Sequence, residues 1–347
     1  MPFSAPRLLL LVSALASSAA TGQGAPVAEK PIIIAHRGAS GDRPEHTLAA
    51  YDLAIDQGAD FIEPDLVPTK DGELVARHEN EIGGTTDVAG RGEFAGRRTT
   101  KTIDGRRVTG WFTEDFTLAE LKTLRARERL PELRPANAAH DGRYEVPTLA
   151  EVIALAKRRS AETGRTIGIY PETKHPTYFA GIGLPTDARL VAALKAAGWD
   201  RADAPVFIQS FEVRNLQSLR GLTKVRLIQL LDATGAPVDG AAESYAAMAT
   251  PAGLKRIAAY AYGVGPNKGM VPGSSLVADA HAAGLRVHPW TYRAENQFLP
   301  PAHRGAGGLA ERGDVIGEIR EALRHQIDGF FTDHPAMGRS ARESGAQ

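Results

Sequence analysis

The sequence of 347 residues contains no cysteine. This absence excludes disulfide bonds, thiolate nucleophiles and zinc sites with thiolate ligands. The stability of the fold must therefore come from its hydrophobic core. A chain of this length with 43% hydrophobic residues can bury such a core in one large domain or in two small ones.

The chain also lacks a net charge, because its 41 Lys and Arg residues balance its 41 Asp and Glu residues. Proteins that bind nucleic acid usually present a basic surface, so nucleic acid is not an expected partner. Any anion that this protein binds must be held by a local site.

Long hydrophobic runs are absent as well, since no apolar stretch reaches the roughly 20 residues that a membrane-spanning helix needs. The N-terminus has a short positive segment ending at Arg7, an apolar segment at 8–16 and small residues at 17–20. This order is typical of a secretory signal peptide. We predict a cleaved signal peptide at 1–24 and a periplasmic or secreted protein without stable membrane insertion; the alternative is an uncleaved membrane anchor.

Short apolar runs alternate with amphipathic stretches through residues 30–340. The predicted strands are 32–35, 61–66, 166–170, 206–209, 225–230, 258–263, 285–290 and 329–332. The predicted helices are 47–57, 149–160, 187–197, 213–219, 274–283 and 314–325. This alternation favours a parallel α/β fold, a (β/α)8 TIM barrel, over an open doubly wound sheet. Residues 38–41 lack the spacing of a dinucleotide-binding fingerprint.

One segment, at about 80–147, interrupts this rhythm, because it is rich in Gly, Thr and Arg with a helix predicted at 118–129. We interpret it as an insertion on the rim of the barrel, between the second strand and its helix. Inserted rim loops usually shape access for a substrate. The alternative is a purely structural cap.

Three carboxylates follow apolar strand residues. Side chains alternate along a strand, so Glu63 and Asp65 share one face of the second strand, and Glu172 ends the third. Carboxylates gathered on a buried face repel one another unless a cation lies between them. Three oxygen ligands without cysteine favour Ca²⁺ or Mg²⁺ over zinc. The alternative is a strand end that emerges into solvent.

Two histidines are candidates for proton transfer. His36 directly follows the first strand, and a hairpin turn at residues 71–72 would fold His78 back towards Asp65. A lone histidine is more often a satisfied polar residue than a catalyst. Two of them at neighbouring strand ends, beside carboxylates, favour acid–base chemistry.

Four further residues are candidates for substrate binding. Arg37 offers two donors to a phosphoryl oxygen, with a salt bridge at the barrel mouth as its alternative role. Lys174 lies on the same face as Glu172 and could balance charge or contact a phosphate. Phe211 and Trp290 could line an apolar wall or pack in the core.

Other polar residues carry weaker signals. His46 is expected at the N-terminus of the first helix, where Glu45 could serve as a cap or surround the metal site. The remaining histidines that we considered, His281, His325 and His334, are expected to be structural.

These motifs resemble those of the glycerophosphodiester phosphodiesterase family. The resemblance covers nearly the whole mature chain and is greatest to the exported bacterial branch that carries the rim insertion. The residues that carry it are 36–38, 44–45, 58–65, 69–72, 78, 169–174, 208–211 and 288–291.

The resemblance implies a (β/α)8 barrel with metal-dependent phosphodiesterase activity. It implies that His36 and His78 act as acid and base. It also implies that Glu63, Asp65 and Glu172 hold the ion, usually Ca²⁺ in the exported branch. Glycerophosphodiesters would be hydrolysed to glycerol 3-phosphate and an alcohol, with water or a neighbouring glycerol hydroxyl as the nucleophile.

The resemblance further implies that Arg37 grips the phosphate. The chain departs from the family at His46, where many members have asparagine, and at Glu79, where many have aspartate. Two other functions stay open: a phospholipase-type phosphodiesterase acting on intact lipids, and a periplasmic solute-binding protein. A lipid-cleaving enzyme should expose aromatic residues on its rim, and the insertion has only scattered ones: Phe94, Trp111, Phe112, Phe116 and Tyr144.

Overall fold

The computed structural model describes residues 1–3 and 30–344. Apart from residues 1–3, the predicted signal peptide therefore lies outside the described residues. In the part of the chain that is described, no helix combines the length and the apolar character needed to cross a membrane.

The strands and helices alternate along most of the chain. The strands are β1 (Ile32–His36), β2 (Phe61–Glu63), β3 (Asp65–Pro68), β4 (Leu74–Ala76), β5 (Thr99–Ile103), β6 (Arg106–Gly110), β7 (Gly168–Ile169), β8 (Glu172–Thr173), β9 (Phe207–Ser210), β10 (Arg226–Leu231), β11 (Gly263–Pro266), β12 (Arg286–Val287) and β13 (Gly329–Thr332). The helices are α1 (Leu48–Asp56), α2 (Leu118–Leu121), α3 (Pro135–Ala138), α4 (Leu149–Thr163), α5 (Pro176–Gly181), α6 (Asp187–Ala196), α7 (Val213–Leu222), α8 (Tyr245–Met248), α9 (Pro251–Ile257), α10 (Leu276–Ala282), α11 (Val315–Arg324) and α12 (Pro335–Ser344).

The parallel strands close into a barrel. One sheet has the order β13, β1, β2 and β7, and the other has the order β12, β11, β10, β9, β8, β3 and β4. Parallel bridges between Ile169 and Val206 and between Tyr292 and Thr332 join the two sheets at both edges. Because β2 leads into β3 and β7 into β8, eight strand positions follow one another around the ring. The predicted (β/α)8 TIM barrel is confirmed.

Large apolar side chains fill the interior of the barrel, so that it is a packed core and not a channel. The buried members of this cluster are Ile34, Tyr170, Phe207, Ile228 and Phe331. A second apolar layer, which includes Ile62 and Leu66, lies between the strands and the surrounding helices. The filled interior therefore leaves no room for a ligand between the described strands, and the open ends of the barrel remain accessible.

Side-chain caps explain why α1 and α4 begin where the sequence predicted. Thr148 accepts a hydrogen bond from the backbone of Glu151, whose side chain bonds back to the backbone of Thr148. Thr47 caps α1 in the same way, by accepting from the N–H of Ala50. The end of α4 is set by Gly164, which adopts the left-handed conformation with φ 66°.

The single strand predicted at 61–66 is wrong in one respect, because Pro64 divides it into β2 and β3. Proline has no N–H and therefore cannot continue a strand ladder. After this break, β3 pairs antiparallel with β4, with Leu66 opposite Ala76. The predicted hairpin is confirmed, since the N–H of Thr69 donates to the carbonyl of Glu73 at 2.9 Å across the turn.

The strand predicted at 258–263 is wrong. Helix α9 continues to Ile257, and β11 begins only at Gly263. Glycine has a low strand propensity, which hid this element from sequence reasoning. The structure needs glycine there, because a Cβ on Gly263 would lie 2.6 Å from the carbonyl oxygen of Arg286. The other predicted strands are confirmed in position, although β7 and β12 are only two residues long.

The segment 80–147 lies between β4 and α4 and packs its own small apolar cluster onto the barrel. The helix predicted at 118–129 is wrong, because α2 spans only Leu118–Leu121. Further along, Ala126 forms a β-bridge with Thr86, so this part of the segment is extended. The aromatic residues Phe94 and Phe116 are buried in the cluster, which leaves them no role at the surface.

Candidate active site

The carboxyl ends of the barrel strands surround a cavity of about 230 Å³. Every predicted site residue except Asp65 lines it: His36, Arg37, Glu63, His78, Glu172, Lys174, Phe211 and Trp290. Side chains from distant parts of the chain therefore meet in one small space.

Three buried carboxylates form a cluster at this cavity. Glu63 lies beside His36 in the register of β1 and β2, and Asp65 lies beside Glu172 in the register of β3 and β8. One oxygen atom from each of Glu63, Asp65 and Glu172 lies within 4.8 Å of the others. The alternation predicted for Glu63 and Asp65 thus survives the interruption by Pro64.

Burial and mutual repulsion oppose ionisation of this cluster. Burial and the neighbouring Asp65 carboxylate raise the pKa of Glu63 well above its usual value. Burial raises the pKa of Glu172 to about 7, and it raises the pKa of Asp65 although Lys174 opposes the shift. No hydrogen bond from the described residues reaches the buried Oδ1 of Asp65. An all-oxygen donor set with this unsatisfied charge fits a hard divalent cation.

His36 is held by a carboxylate from the last strand of the barrel. Its Nδ1 lies 2.6 Å from Oδ1 of Asp333. Asp333 also accepts hydrogen bonds from Arg134 at 2.6 Å and from Arg293 at 3.1 Å. Although burial opposes it, Arg293 and Arg134 hold the pKa of Asp333 well below its usual value. Burial and the adjacent Arg37 lower the pKa of His36 to about 3, so its ring is neutral and Nδ1 carries the proton.

His78 reaches the same cavity from the hairpin that follows β3. Its Nδ1 lies 3.1 Å from Oε1 of Glu79, and its side chain is 27% exposed. Burial of the ring, together with the charges of Arg37 and Lys174, lowers the pKa of His78 well below its usual value. Each of the two histidines therefore has its own carboxylate at Nδ1.

Arg37 lies directly beside the carboxylate cluster. Its backbone N–H donates to Oε2 of Glu63 at 2.8 Å, and Nη1 donates to Oε2 of Glu45 at 3.0 Å. Its Nε lies 3.4 Å from Oδ2 of Asp65. Arg37 has a φ of 61°, a left-handed conformation that is unfavourable for a residue with a Cβ and is concentrated at functional sites. Arg37 therefore forms salt bridges at the barrel mouth, which was its alternative predicted role, and it also lines the cavity.

Lys174 and two aromatic rings form a further part of the cavity wall. Nζ of Lys174 lies 2.9 Å from Oε1 of Glu172 and 6.0 Å from the ring centre of Phe211. The rings of Phe211 and Trp290 meet edge to face, with their centres 5.6 Å apart. The cavity thus combines cationic groups with an apolar wall.

The cap of α1 is Thr47 and not Glu45, and His46 directly precedes this cap. The ring of His46 is fully buried, with Nε2 2.9 Å from Oδ2 of Asp65 and Nδ1 2.8 Å from the hydroxyl of Tyr51. This geometry orients the Asp65 carboxylate towards the cluster. His46 therefore supports a cluster residue and does not enter the cavity itself.

Sequence reasoning missed three residues that position the site. They are Asp333, Arg134 and Gln209, whose Nε2 donates to Oε1 of Glu63 at 2.8 Å. Asp333 directly follows β13, and the rule that selected Glu172 at a strand end could have found it. Arg134 lies in the insertion and carried no signal in the sequence.

The histidines predicted to be structural lie away from the cavity. Nε2 of His281 lies 2.8 Å from Oδ2 of Asp328, which precedes β13 and so marks the amino-terminal end of the barrel. His334 is buried and packs against Gly41. A Cβ on Gly41 would lie only 2.2 Å from Nε2 of His334.

A larger groove of about 730 Å³ adjoins the cavity. The two spaces share Glu172, Lys174, Phe211 and Asp232. The β5–β6 hairpin of the insertion forms one wall of the groove. Acidic side chains predominate in its lining: Glu79, Glu81, Asp104, Glu172, Glu212 and Asp232 against Arg106, Lys174 and His175.

Known proteins resemble this chain along most of its length. A sequence model described as the glycerophosphoryl diester phosphodiesterase family matches residues 36–337. A glycerophosphodiester phosphodiesterase of Arabidopsis thaliana is 37% identical over 327 residues, which cover 88% of this chain and 84% of that protein. One from Haemophilus influenzae is 29% identical over 349 residues, with 88% of each chain covered.

Solved structures show the same fold. A phosphodiesterase of Oleispira antarctica in complex with the product sn-glycerol-3-phosphate has a TM-score of 0.61 at 22% identity, covering 90% of this chain and 97% of that one. A glycerophosphodiester phosphodiesterase of Agrobacterium tumefaciens has a TM-score of 0.59 at 20% identity, covering 89% and 99%.

Proposed function

This chain belongs to the glycerophosphoryl diester phosphodiesterase family, and from that premise we propose that it hydrolyses glycerophosphodiesters to glycerol 3-phosphate and an alcohol. One observation carries the proposal: two oriented imidazoles share a cavity with a buried cluster of three carboxylates. Such a cavity can transfer protons and neutralise phosphate charge in the same place.

His36 and His78 would transfer the protons. In each ring Nδ1 lies on a carboxylate, Asp333 or Glu79, so a neutral ring keeps its proton on Nδ1 and leaves Nε2 free to accept one. One imidazole takes the proton of the nucleophile and the other protonates the departing alcohol. Each carboxylate stabilises the imidazolium that forms during its step. Proton transfers of this kind contribute about a hundred- to ten-thousandfold.

Glu63, Asp65 and Glu172 would hold the metal ion, which we propose to be Ca²⁺. Mg²⁺ is usually bound by one or two carboxylates and several waters, whereas Ca²⁺ accepts a larger set of protein oxygens. When bound, the ion supplies positive charge that polarises a phosphoryl oxygen. The donors of Arg37 and Lys174 add positive charge at the same cavity.

The alcohol part of the substrate would occupy the adjoining groove. Its acidic lining includes Asp104, Glu212 and Asp232, and the rings of Phe211 and Tyr245 lie along it. Carboxylates and aromatic faces attract cations. We therefore propose a preference for cationic alcohols such as choline or ethanolamine over neutral polyols.

The substrate is proposed to be water-soluble and not an intact lipid. A lipid-cleaving enzyme would need exposed apolar side chains on its rim. In the insertion Phe94, Phe112 and Phe116 are buried, at 7% exposure or less. Release of product from glycerophosphocholine but not from phosphatidylcholine vesicles would support this distinction.

Turnover of the two histidine variants tests the assignment. His36→Ala and His78→Ala should each lower kcat on glycerophosphocholine by about a hundredfold or more. His281→Ala, at the other end of the barrel, is the matched control and should retain wild-type turnover. If either active-site variant keeps a rate near that of the wild type, the acid–base assignment is wrong.

Chelation tests the metal, and early time points test the nucleophile. Activity should disappear with a chelator and return with Ca²⁺ more fully than with Mg²⁺. A cyclic glycerol phosphate that accumulates before glycerol 3-phosphate would identify the neighbouring hydroxyl as the nucleophile.

We also propose that the protein is exported to the periplasm or secreted. The positive segment at Arg7 followed by the apolar residues 8–16 supports this. Residues 1–29 fused to a reporter that is active only outside the cytoplasm should give signal, and a silent fusion would refute export.

A further inference from the structure

A series of polar contacts leads from His78 out of the cavity and onto the insertion. Oε1 of Glu79 lies 3.1 Å from Nδ1 of His78, and its other oxygen, Oε2, lies 2.9 Å from Nε2 of His175. Nδ1 of His175 is in turn hydrogen-bonded to Oδ2 of Asp104. Four side chains from three separate parts of the sequence are thus connected in series.

In the middle of this series, the imidazolium of His175 lies between the carboxylates of Glu79 and Asp104. Both ring nitrogens of His175 face acceptors, so both must carry a proton. Although burial opposes it, hydrogen bonds to Asp104 and Glu79 raise the pKa of His175 to about 9. Hydrogen bonds from His175 and His78 also hold the pKa of Glu79 below its usual value against the effect of burial. At neutral pH a positively charged His175 therefore lies against the negatively charged carboxylate of Glu79.

The backbone conformation positions both Asp104 and His175. Asp104 and Gly105 form the turn of the β5–β6 hairpin with φ values of 49° and 78°, the left-handed pair that a tight two-residue hairpin requires. His175 follows β8 with a φ of 46°, which is unfavourable for a residue with a Cβ. Since strained residues persist where the surroundings constrain them, His175 is held in place by its contacts.

We propose that His175 is a positioning residue for His78: it locks Glu79 against the catalytic ring and ties that pair to the inserted hairpin at Asp104. The inference rests on the proposed role of His78 in proton transfer. Oε1 of Glu79 can hold Nδ1 of His78 in one tautomer only while Oε2 is held by His175. The insertion thereby becomes part of the acid–base machinery as well as a wall of the groove.

Kinetics of single and double variants test the series. His175→Gln and Glu79→Gln should each lower kcat by on the order of tenfold, because both substitutions disturb the ring of His78. The double variant should be no worse than the poorer single variant, since both break one series. Asp104→Asn should lower kcat in the same direction.

A matched control separates this effect from damage to the hairpin. Thr109→Ala breaks the exposed hydrogen bond between the hydroxyls of Thr100 and Thr109 on the same hairpin. This variant should leave kcat unchanged. Unchanged turnover in His175→Gln, or effects of His175→Gln and Glu79→Gln that multiply in the double variant, would overturn the proposal.

A measurement that needs no turnover keeps this inference separate from the proposed function. ¹⁵N NMR of the Ca²⁺-loaded protein near neutral pH should show His175 protonated on both nitrogens and His78 in the Nδ1–H tautomer. In His175→Gln, His78 should become a mixture of tautomers. An unchanged His78 spectrum would refute the positioning role, whereas a wild-type protein without phosphodiesterase activity would refute only the proposed function.

Discussion

Replacing Glu172 by glutamine should change how the stability of the metal-free protein depends on pH. Burial raises the pKa of Glu172 from 4.5 to about 7. A carboxyl with a raised pKa stabilises the folded state below 4.5, and this contribution is lost as the pH rises through 7. The loss amounts to about 3 kcal/mol, because each pKa unit corresponds to about 1.4 kcal/mol.

The variant Glu172→Gln cannot ionise and should not show this loss. The substitution also changes the free energy of unfolding in ways that do not depend on pH, for example through the altered contact with Lys174. The informative quantity is the difference in the free energy of unfolding between variant and wild type. In the presence of a chelator this difference should move by about 3 kcal/mol in favour of the variant as the pH rises. Denaturant unfolding at a series of pH values measures it.

Calcium should reverse this behaviour in the wild type. Ligand binding to the folded state adds about 2.7 kcal/mol at a concentration a hundredfold above Kd. Glu172→Gln should lose most of this gain, whereas Glu212→Gln, a buried acid at the same rim but outside the cluster, should keep it. A stability difference that does not vary with pH, or a full calcium effect in Glu172→Gln, would refute the reasoning.

Three further predictions concern other parts of the barrel. Asp333→Asn removes the charge that holds His36, so kcat should fall about ten- to a hundredfold in steady-state assays; a change below about twofold would contradict this role. Burial lowers the pKa of His288 from 6.5 to about 4, so stability is lost as the pH falls through this range. His288→Gln should remove about 3 kcal/mol of that acid sensitivity in calorimetry, and an unaltered pH profile would count against it. Thr148→Ala removes the cap of α4 and should cost about 1 kcal/mol in urea unfolding, with no effect on kcat.

Local patterns in the sequence were sufficient for the parts of the site that lie at strand ends. Glu63 and Asp65 could be assigned to one face because strand side chains alternate, and Glu172 because it follows the apolar residues of the next predicted strand. In the structure Glu172 begins the short strand β8. Parallel strands in a barrel present their carboxyl ends at one face, so residues at these ends converge. His78 followed from the turn signal at Gly72.

The same reasoning failed where an element depends on its neighbours. The strand β11 contains glycine because the carbonyl of Arg286 lies close to Gly263, and no local propensity reveals that approach. The segment after α2 is extended because Ala126 pairs with Thr86, a contact within the insertion that overrides a helical pattern.

By itself the sequence determined the class of the fold, the identity of the three carboxylates and two imidazoles, and the end of the barrel at which they meet. These depend on periodicity and chain order, which are local. Only the tertiary structure decided which carboxylate supports which histidine, since Asp333 is 297 positions from His36 and Asp104 is 71 from His175. Such pairings arise when the barrel closes and the insertion folds over its rim, and interactions between distant segments leave no periodic trace in the sequence.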